Sequence, residues 1–342
     1  KNIKRDNINA DMYYKYQKKF HEMGSTTHSD LIIPLPGESL ESHYSGLRKL
    51  FDVGVDIIMN NNMRMLPGTE MNSQKTRIKF NFKTRYRLIH GDSGCYKSAD
   101  GKEIKTFELE ESLRATNTMS EDEVFKLREV HFLVEFMWNF QIYSDLLKVA
   151  KKFKINQLDL IIKFLEKGKK DLNLQNFWIQ FDKASKGEWF NSRKEAEEFF
   201  SKKENFENLI NQEYEKLNIQ FSIVILKDYK KYFDEVLVET IKDFGAVPEY
   251  LIKDVSKIVF AQFPPFSAGN IDIKSKINFK NIHKENLDED KDSTFYNYHF
   301  PVSIKQKKII KILTETKKIA ISKILNTQNL SIRSLKRDFI VN

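Results

Sequence analysis

Two acidic side chains flank a short apolar stretch near the start of the chain, where they could contact a ligand. Asp30 begins the stretch, and Glu38 follows the proline–glycine turn that ends it. At the carboxyl ends of parallel strands, where ligands bind in α/β proteins, a carboxylate can accept hydrogen bonds from hydroxyl or ammonium groups. Asp30 could equally terminate a loop, and Glu38 could serve only the first turn of the next helix, where the helix dipole favours an acidic residue. His90 and Cys95, in a glycine-containing segment, are weaker candidates for catalysis.

The chain lacks the short motifs that mark the common catalytic and metal sites. It contains no G-x-x-x-x-G-K-[ST] phosphate loop, no G-x-G-x-x-G, no H-E-x-x-H, no paired C-x-x-C and no G-x-S-x-G. Cys95 is its one cysteine, and a single thiol can form no intrachain disulfide and can hold neither zinc nor an iron–sulfur cluster by itself. A lone thiol outside any motif favours a reduced protein, so we expect a cytoplasmic location.

The composition is that of a globular protein with an ordinary core. A length of 342 residues is enough for two or three packed units, and 40% of the residues are hydrophobic and 31% are charged. The net charge is +9, but the cationic residues are spread along the chain and lysine outnumbers arginine, so we expect no nucleic-acid partner. No apolar stretch approaches the ~20 residues that span a bilayer, and no signal peptide is recognisable, so we expect no membrane partner.

Four regular elements would position the acidic residues. The patterns predict a helix over 11–23, a strand over 30–35, a helix over 39–51, a strand over 55–59 and a loop at 66–69. Ser39 is a typical helix cap and Gly54 a typical helix stop. Helix and strand alternate with short loops, and this order implies parallel strands with helices packed outside them. Two strands make an incomplete sheet, so the segment needs further neighbours.

The rest of the chain is predicted to be a small antiparallel extension followed by a mainly helical region. A β-hairpin is expected within 84–118, with loops around Gly91 and Gly94 and a turn at Asp100-Gly101. Ser120 and Glu123 form a capping box for a helix that runs to about residue 140. The remaining predictions are helices over 146–153, 158–165, 229–244 and 303–325, a helix opened by a capping box at 192–195, a strand over 219–226, and loops over 261–285 and 286–293. The corresponding domains are 1–83, 84–118, 119–260 and 261–342.

The order and spacing of five segments resemble the radical S-adenosylmethionine (SAM) enzymes, especially the group that carries an N-terminal cobalamin-binding domain. The strand, P-G-E turn and helix of 30–51, followed by the L-P-G-T loop at 66–69, resemble the fifth and sixth strand–helix units of that barrel. The basic K-R-x-N-I segment at 4–8 resembles the segment after the fourth strand. The segments T-R-Y-R-L-I at 84–89 and A-T-N-T-M-S at 115–120 resemble the extension after the barrel. The resemblance covers about residues 1–140.

This resemblance implies a fold, cofactors and binding residues. The fold is an α/β partial TIM-like (βα) barrel containing the last two strand–helix units, then an antiparallel extension and a largely helical C-terminal region. The implied cofactors are S-adenosylmethionine, a [4Fe–4S] cluster and, in the parent of this group, cobalamin. Arg5 is implied to hold the SAM carboxylate and Asp30 its ribose or ammonium groups. Ile32 and Met63, with backbone amides near them, are implied to hold the adenine.

The sequence departs from the family pattern in two ways. Pro34 stands where the family usually has glycine, which removes a backbone N–H beside the adenine site. The C-x3-C-x2-C loop whose thiolates bind the cluster is missing, as is the cobalamin motif D-x-H-x-x-G. Together with the start at Lys1, this leads us to expect the C-terminal part of a longer enzyme, inactive by itself.

An alternative function stays open. A helical module that binds a protein or nucleic acid through a basic face, without catalysis, would also fit a chain with small basic clusters at 151–154 and 305–308. The substrate of the enzyme is not encoded in any pattern that we recognise, although the intact enzyme would need an electron donor.

Overall fold

The computed structural model describes residues 10–211, 214, 216–279, 282, 295–315 and 331–341. They divide into two compact units built from interleaved segments. Unit 1 contains the described residues of 1–131 and 180–217, and unit 2 contains those of 132–179, 218–317 and 324–342.

The described residues form helices and three small sheets. The helices are α1 (Ala10–Glu22), α2 (Leu40–Val53), α3 (Gln74–Lys79), α4 (Glu121–Leu133), α5 (Ser144–Lys152), α6 (Gln157–Gly168), α7 (Gln175–Gly187), α8 (Arg193–Ser201), α9 (Lys203–Ile210), α10 (Leu217–Val224), α11 (Lys230–Lys242), α12 (Glu249–Gln262) and α13 (Ile304–Glu315). The strands are β1 (His28–Ile33), β2 (Ile57–Asn62), β3 (Lys83–Lys97), β4 (Glu103–Ala115), β5 (Ile271–Ser275), β6 (Tyr296–Phe300) and β7 (Ile340–Val341). No helix in the described part of the chain is long and apolar enough to cross a membrane.

Strands β1 and β2 pair in parallel, so the predicted orientation is confirmed. The pairing runs from His28 opposite Ile57 to Ile33 opposite Asn62. Strand β1 starts two residues before its predicted start at 30, and strand β2 starts two residues after its predicted start at 55. Strand β1 ends before residue 35 because the Leu35 carbonyl accepts a turn hydrogen bond from the Glu38 N–H. Strand β2 begins after residue 55 because the Val55 N–H still donates to the Leu50 carbonyl in the last turn of α2.

Helix α2, which connects these strands, begins and ends where the sequence predicts. The Ser39 and Ser42 hydroxyls each accept a bond from the other residue's backbone N–H, at 3.2 and 2.9 Å. Gly54 adopts φ 84°, a left-handed conformation that costs glycine little, and its N–H bonds to the last carbonyls of the helix. The face that α2 buries carries His43, Leu47 and Phe51.

The predicted hairpin is present as the antiparallel pair β3–β4, but it is longer than expected. The loops predicted around Gly91 and Gly94 are wrong, because β3 continues through both positions and is only interrupted by a register shift between Leu88 and Ser93. The turn lies at Ser98–Lys102, with Gly101 at φ 80°. Apolar residues of the hairpin pack with α8 and α9 in one cluster.

The capping box before α4 is confirmed. The Ser120 hydroxyl accepts from the Glu123 N–H at 3.3 Å, and the Glu123 carboxylate accepts from the Ser120 N–H at 2.7 Å. Beyond α4 the helix continues as a π-helical segment, Val134–Asn139, so the predicted end near residue 140 is also confirmed.

Unit 2 is helical around a cluster of aromatic rings that meet edge to face or at a tilt. The Phe233 ring lies 5.3 Å from those of Phe164 and Phe177 and 5.9 Å from that of Phe136, centre to centre. The strand predicted over 219–226 is wrong, since this segment forms α10 and a π-helical segment, Ile225–Tyr229. A short run that is apolar on every side has no period that separates a buried strand from a buried helix.

The C-terminal region contains a sheet that the sequence did not predict. Strand β5 lies within the segment 261–285 interpreted as loop, and it pairs with β6, which in turn pairs with β7. These partners follow β5 by tens of residues, so no local pattern reveals the pairing. Helix α13 confirms the predicted last helix up to Glu315, while 316–325 and the predicted loop 286–293 lie outside the described residues.

Candidate functional site

The two faces of the β1–β2 sheet differ in exposure. Successive side chains of a strand point to opposite faces, and paired residues of the two strands share a face. The accessible face carries His28, Asp30, Ile32, Met59 and Asn61. The covered face carries Ile33, Ile58, Asn60 and Asn62, with the side chains of Leu40, Tyr44 and Val124 packed around Ile33.

Two of the predicted binding residues share the accessible face. Asp30 is exposed, and the Asn61 amide lies 3.5 Å from its carboxylate. Ile32 on the same face is 38% exposed, and Met59 on the neighbouring strand is 39% exposed. This face therefore presents a carboxylate, an amide and apolar side chains to solvent. Arg5, the third predicted residue, lies outside the described residues.

Met63 directly follows β2, and its backbone is already engaged. Its N–H donates to the Ile33 carbonyl at 2.7 Å, and its carbonyl accepts from the Leu113 N–H at 2.8 Å. The expected contact between an adenine and the Met63 amide would therefore have to displace a strand hydrogen bond. The half-buried Met63 side chain remains at the end of the sheet.

A pocket of unit 1 lies against the covered face of the same sheet. It measures about 350 Å³ including the open space at its mouth. Its polar lining consists chiefly of Asn60, Asn62, Arg87, Arg114, Arg128 and His131, and we call it the arginine pocket.

Arg114 is the most buried charge of the arginine pocket, with 3% exposure. Its guanidinium lies 4.2 Å from the Trp189 ring centre and 4.7 Å from that of Phe125. Its Nε makes no hydrogen bond, and the Glu121 carboxylate oxygen is 3.8 Å away. Glu121 instead pairs with Arg85, at 2.5 and 2.9 Å. Burial, more than the neighbouring arginines, lowers the pKa of Arg114 to about 9, so the group is still charged at neutral pH.

The other two arginines reach carboxylates outside the lining. Arg87 Nε donates to Glu110 at 2.5 Å, and its guanidinium lies 3.8 Å from Glu188. Arg128 lies 4.0 Å from the same Glu188 oxygen. These ion pairs fix the direction in which the guanidiniums point, because a fork of N–H donors held at one edge leaves its other edge aimed elsewhere.

A chain of hydrogen bonds leads from the P-G-E turn to the arginine pocket. The Glu38 carboxylate accepts from the Leu35 N–H at 3.1 Å, and its other oxygen lies 2.9 Å from His43 Nδ1. His43 Nε2 lies 2.9 Å from His131 Nε2, so one of these two nitrogens is protonated and donates a hydrogen bond, and the other accepts that hydrogen bond. Burial, with His43 and Arg128 nearby, lowers the pKa of His131 well below its usual value.

The remaining candidates, His90 and Cys95, lie in strand β3 and do not join either site. His90 Nδ1 bonds to the Tyr214 carbonyl at 3.2 Å, and burial lowers the pKa of this imidazole. Cys95 is exposed, and its hydrogen bond to Glu103 raises the pKa of the thiol, which disfavours the reactive thiolate. The described residues contain no group of three or more histidine, cysteine, aspartate or glutamate side chains that could hold a metal ion.

The sequence did not point to the arginine pocket. Asn60, Arg114, His131 and Trp189 are far apart in the chain, and each is an ordinary residue in its own segment. The one available signal is the alternation of Glu110, Ser112 and Arg114 along β4, which marks a polar strand face but is more often solvated than buried. Compared with known proteins, the chain matches no family model and no curated protein.

Proposed function

We propose that this chain is the C-terminal part of a radical SAM enzyme, with β1 and β2 as the last two strands of its barrel. The observation that supports this most is the pairing of β1 and β2 in parallel with Asp30 and Ile32 on one accessible face. Parallel sheets are normally covered on both faces, because the helices of their crossovers pack on them. Here one face is covered, while the other exposes Ile32 and Met59. Further strands closing into a barrel would cover that face and place Asp30 inside.

The residues of the accessible face suit SAM. The Asp30 carboxylate can accept hydrogen bonds from ribose hydroxyls or the ammonium group, and Ile32 can pack on the adenine ring. The Met63 side chain can close the adenine site, although its backbone N–H is already bonded. Arg5 is proposed to bind the carboxylate through a bidentate, permanently charged contact.

The residues of this chain do not fit the [4Fe–4S] cluster. Its one cysteine, Cys95, is exposed on the β3–β4 hairpin, and three thiolates are needed. In an intact parent, residues outside this chain would have to hold the cluster, which together with an external electron donor would supply the reducing chemistry for SAM. This chain by itself is therefore expected to bind the edge of SAM and to catalyse nothing.

The test uses the parent, expressed from the coding sequence with all in-frame DNA upstream of Lys1. After anaerobic reconstitution with iron and sulfide, dithionite and SAM should yield 5′-deoxyadenosine, measured by liquid chromatography. Asp30→Asn, which keeps the size of the side chain, should lower that yield about tenfold, corresponding to the loss of one charge-assisted contact. Glu41→Gln, on the exposed side of α2, is the matched control and should change it less than twofold.

Two outcomes would refute the proposal. One is an upstream sequence that begins with a start codon and encodes no C-x3-C-x2-C loop, which would favour a non-catalytic binding module. The other is a reconstituted cluster with no SAM cleavage. Cobalamin in the purified parent, seen by its visible absorbance, would assign the chain to the cobalamin-binding group and to methyl transfer.

A further inference from the structure

The arginine pocket holds polar atoms that lack partners inside the protein. Arg114 is only 3% exposed, and its Nε makes no hydrogen bond. The Asn60 side-chain oxygen is also buried and accepts no hydrogen bond. Buried polar groups without partners are rare and unfavourable, and two of them on residues that line the same cavity point to a ligand that completes them.

The lining has one sign of charge. Among the described residues, Arg87, Arg114 and Arg128 line the pocket, and no carboxylate does. The carboxylates that pair with Arg87, Glu110 and Glu188, do not line the pocket, and Glu121 hydrogen-bonds to Arg85 while lying 3.8 Å from Arg114 Nε. A buried cation whose nearest carboxylate is 3.8 Å away and is shared with another arginine is only partly compensated, and an anion in the cavity would complete the compensation. Arginine favours planar or tetrahedral oxyanions, because its fork of donors matches two oxygen atoms.

The Asn60 oxygen adds a second requirement. It accepts hydrogen bonds, so an anion that fills the pocket should also offer a proton. Hydrogen phosphate carries an O–H at neutral pH, whereas sulfate, of similar size and shape, carries none.

We propose that the arginine pocket binds a small oxyanion bearing an O–H group, with inorganic hydrogen phosphate as the ligand. Arg114 Nε and the guanidiniums of Arg87 and Arg128 donate to its oxygens, and the Asn60 side-chain oxygen accepts a hydrogen bond from its O–H. The pocket lies on the opposite side of the β1–β2 sheet from Asp30 and Ile32. It therefore does not depend on the proposed SAM site, and either proposal can fail alone.

The experiment is isothermal titration of the full chain with inorganic phosphate and, separately, with sulfate, at constant ionic strength. Wild-type protein should bind phosphate saturably at one site and bind sulfate about tenfold more weakly, since sulfate leaves the Asn60 oxygen unsatisfied. Binding that does not saturate would overturn the site. Equal affinity for the two anions would overturn the requirement for an O–H group.

Two variants with the same change in net charge separate the pocket from general attraction to a basic protein. Arg114→Met should lower phosphate affinity at least tenfold. Arg193→Met, whose side chain is 62% exposed and paired with Glu197 on α8, should lower it less than twofold. Equal losses in both variants would contradict the proposal, because they would show that net charge alone attracts phosphate.

Asn60→Leu and the wild-type side-chain signals provide independent measurements. In Asn60→Leu, phosphate and sulfate should bind equally well, because the unpaired acceptor has been removed; a retained phosphate preference would refute its role. If Arg114→Met does not fold, the Nε–H resonance of Arg114 in wild-type protein can be followed by NMR instead. It should shift as phosphate saturates the site, and an unmoved resonance would refute the contact.

Discussion

The two units each bury charged side chains, but they satisfy them differently. In unit 2, Lys230 is buried against Asp234, whose carboxylate also accepts from the Tyr143 hydroxyl at 2.7 Å, and the Lys230 ammonium lies 4.8 Å from the Phe260 ring centre. We call the hydrogen-bonded residues Lys230, Asp234 and Tyr143 the lysine cluster. In unit 1, Arg114 has a buried Nε with no hydrogen bond and a cavity beside it.

The difference separates a structural polar group from a binding one. A buried ion pair with its hydrogen bonds made contributes a fixed geometry, and removing one partner leaves the other uncompensated. A buried cation beside an open cavity is a cost that the protein retains, which is typical of sites that need a ligand. Burial raises the pKa of Asp234 and lowers that of Lys230, and the attraction and hydrogen bond between the two groups oppose both shifts without cancelling them.

The largest effect is expected from breaking the lysine cluster. Asp234→Ala leaves the Lys230 ammonium buried without its carboxylate, so the free energy of unfolding should fall by about 3–5 kcal/mol, measured by urea denaturation. The control is Glu235→Ala, which removes the 55% exposed partner of Lys231 at the same helical spacing. It should change the stability by less than about 0.5 kcal/mol. A similar small loss in Asp234→Ala would show that the cluster is not structural.

The second effect is a loss of stability in acid that depends on His131. Its pKa is lowered in the folded protein, so below the unfolded value of about 6.5 the unfolded state binds a proton that the folded state does not. The free energy of unfolding contributed by this group is therefore constant above about pH 6.5 and falls by up to about 1.4 kcal/mol per pH unit below it. His131→Gln should make the acid limb of the stability curve shallower by that amount. An unchanged slope would mean that His131 takes up its proton equally in both states.

A third prediction concerns a polar group of unit 1 that is structural. Ser120→Ala removes the cap of α4, the helix that carries Arg128 and His131, and should lower the free energy of unfolding by about 1 kcal/mol. It should leave the phosphate affinity within twofold, because no atom of Ser120 lines the pocket. A tenfold loss of affinity would show that the pocket depends on the helix start.

The smallest effect on stability is expected for Arg114→Met. This variant tests most directly whether Arg114 in unit 1 differs from the lysine cluster in unit 2. Without phosphate, replacing a buried cation that lacks a hydrogen bond at Nε should change the free energy of unfolding by less than about 1 kcal/mol in either direction. Wild-type protein should be stabilised by added phosphate, and the variant should not. A loss of 3 kcal/mol or more without phosphate would place Arg114 in the same class as Asp234.

Local sequence signals predicted the starts and ends of the helices in unit 1 well, whereas contacts between residues far apart in the chain were not predicted. The start of α2 at Ser39, its end at Gly54 and the start of α4 at Ser120 follow from side-chain caps and a left-handed glycine, which act within four residues. Their accuracy is physical, since the hydrogen bonds that end a helix are made by the adjacent sequence.

The arginine pocket could not be predicted in the same way. The hydrogen bond between His43 and His131 spans 88 residues, and although His43 shares the buried face of α2 with Leu47 and Phe51, no local pattern shows which residue it meets there. The Arg114 guanidinium lies against the rings of Phe125 and Trp189, and Trp189 is far along the chain. Of the predicted SAM residues, the sheet register places Asp30 and Ile32 together, which follows from their spacing of two.

The central claim is that the accessible face of β1–β2 becomes the inside of a barrel that holds SAM, and the most direct measurement is the chemical accessibility of Ile32. In a Cys95→Ser background, Ile32→Cys would be labelled with a maleimide in this chain and in the intact parent, and labelling at position 32 would be followed by peptide mass spectrometry, which separates it from the cluster cysteines. The rate should fall at least tenfold in the parent and fall again when SAM is added. Equal rates in the two proteins, with no effect of SAM, would contradict the barrel and the binding face together.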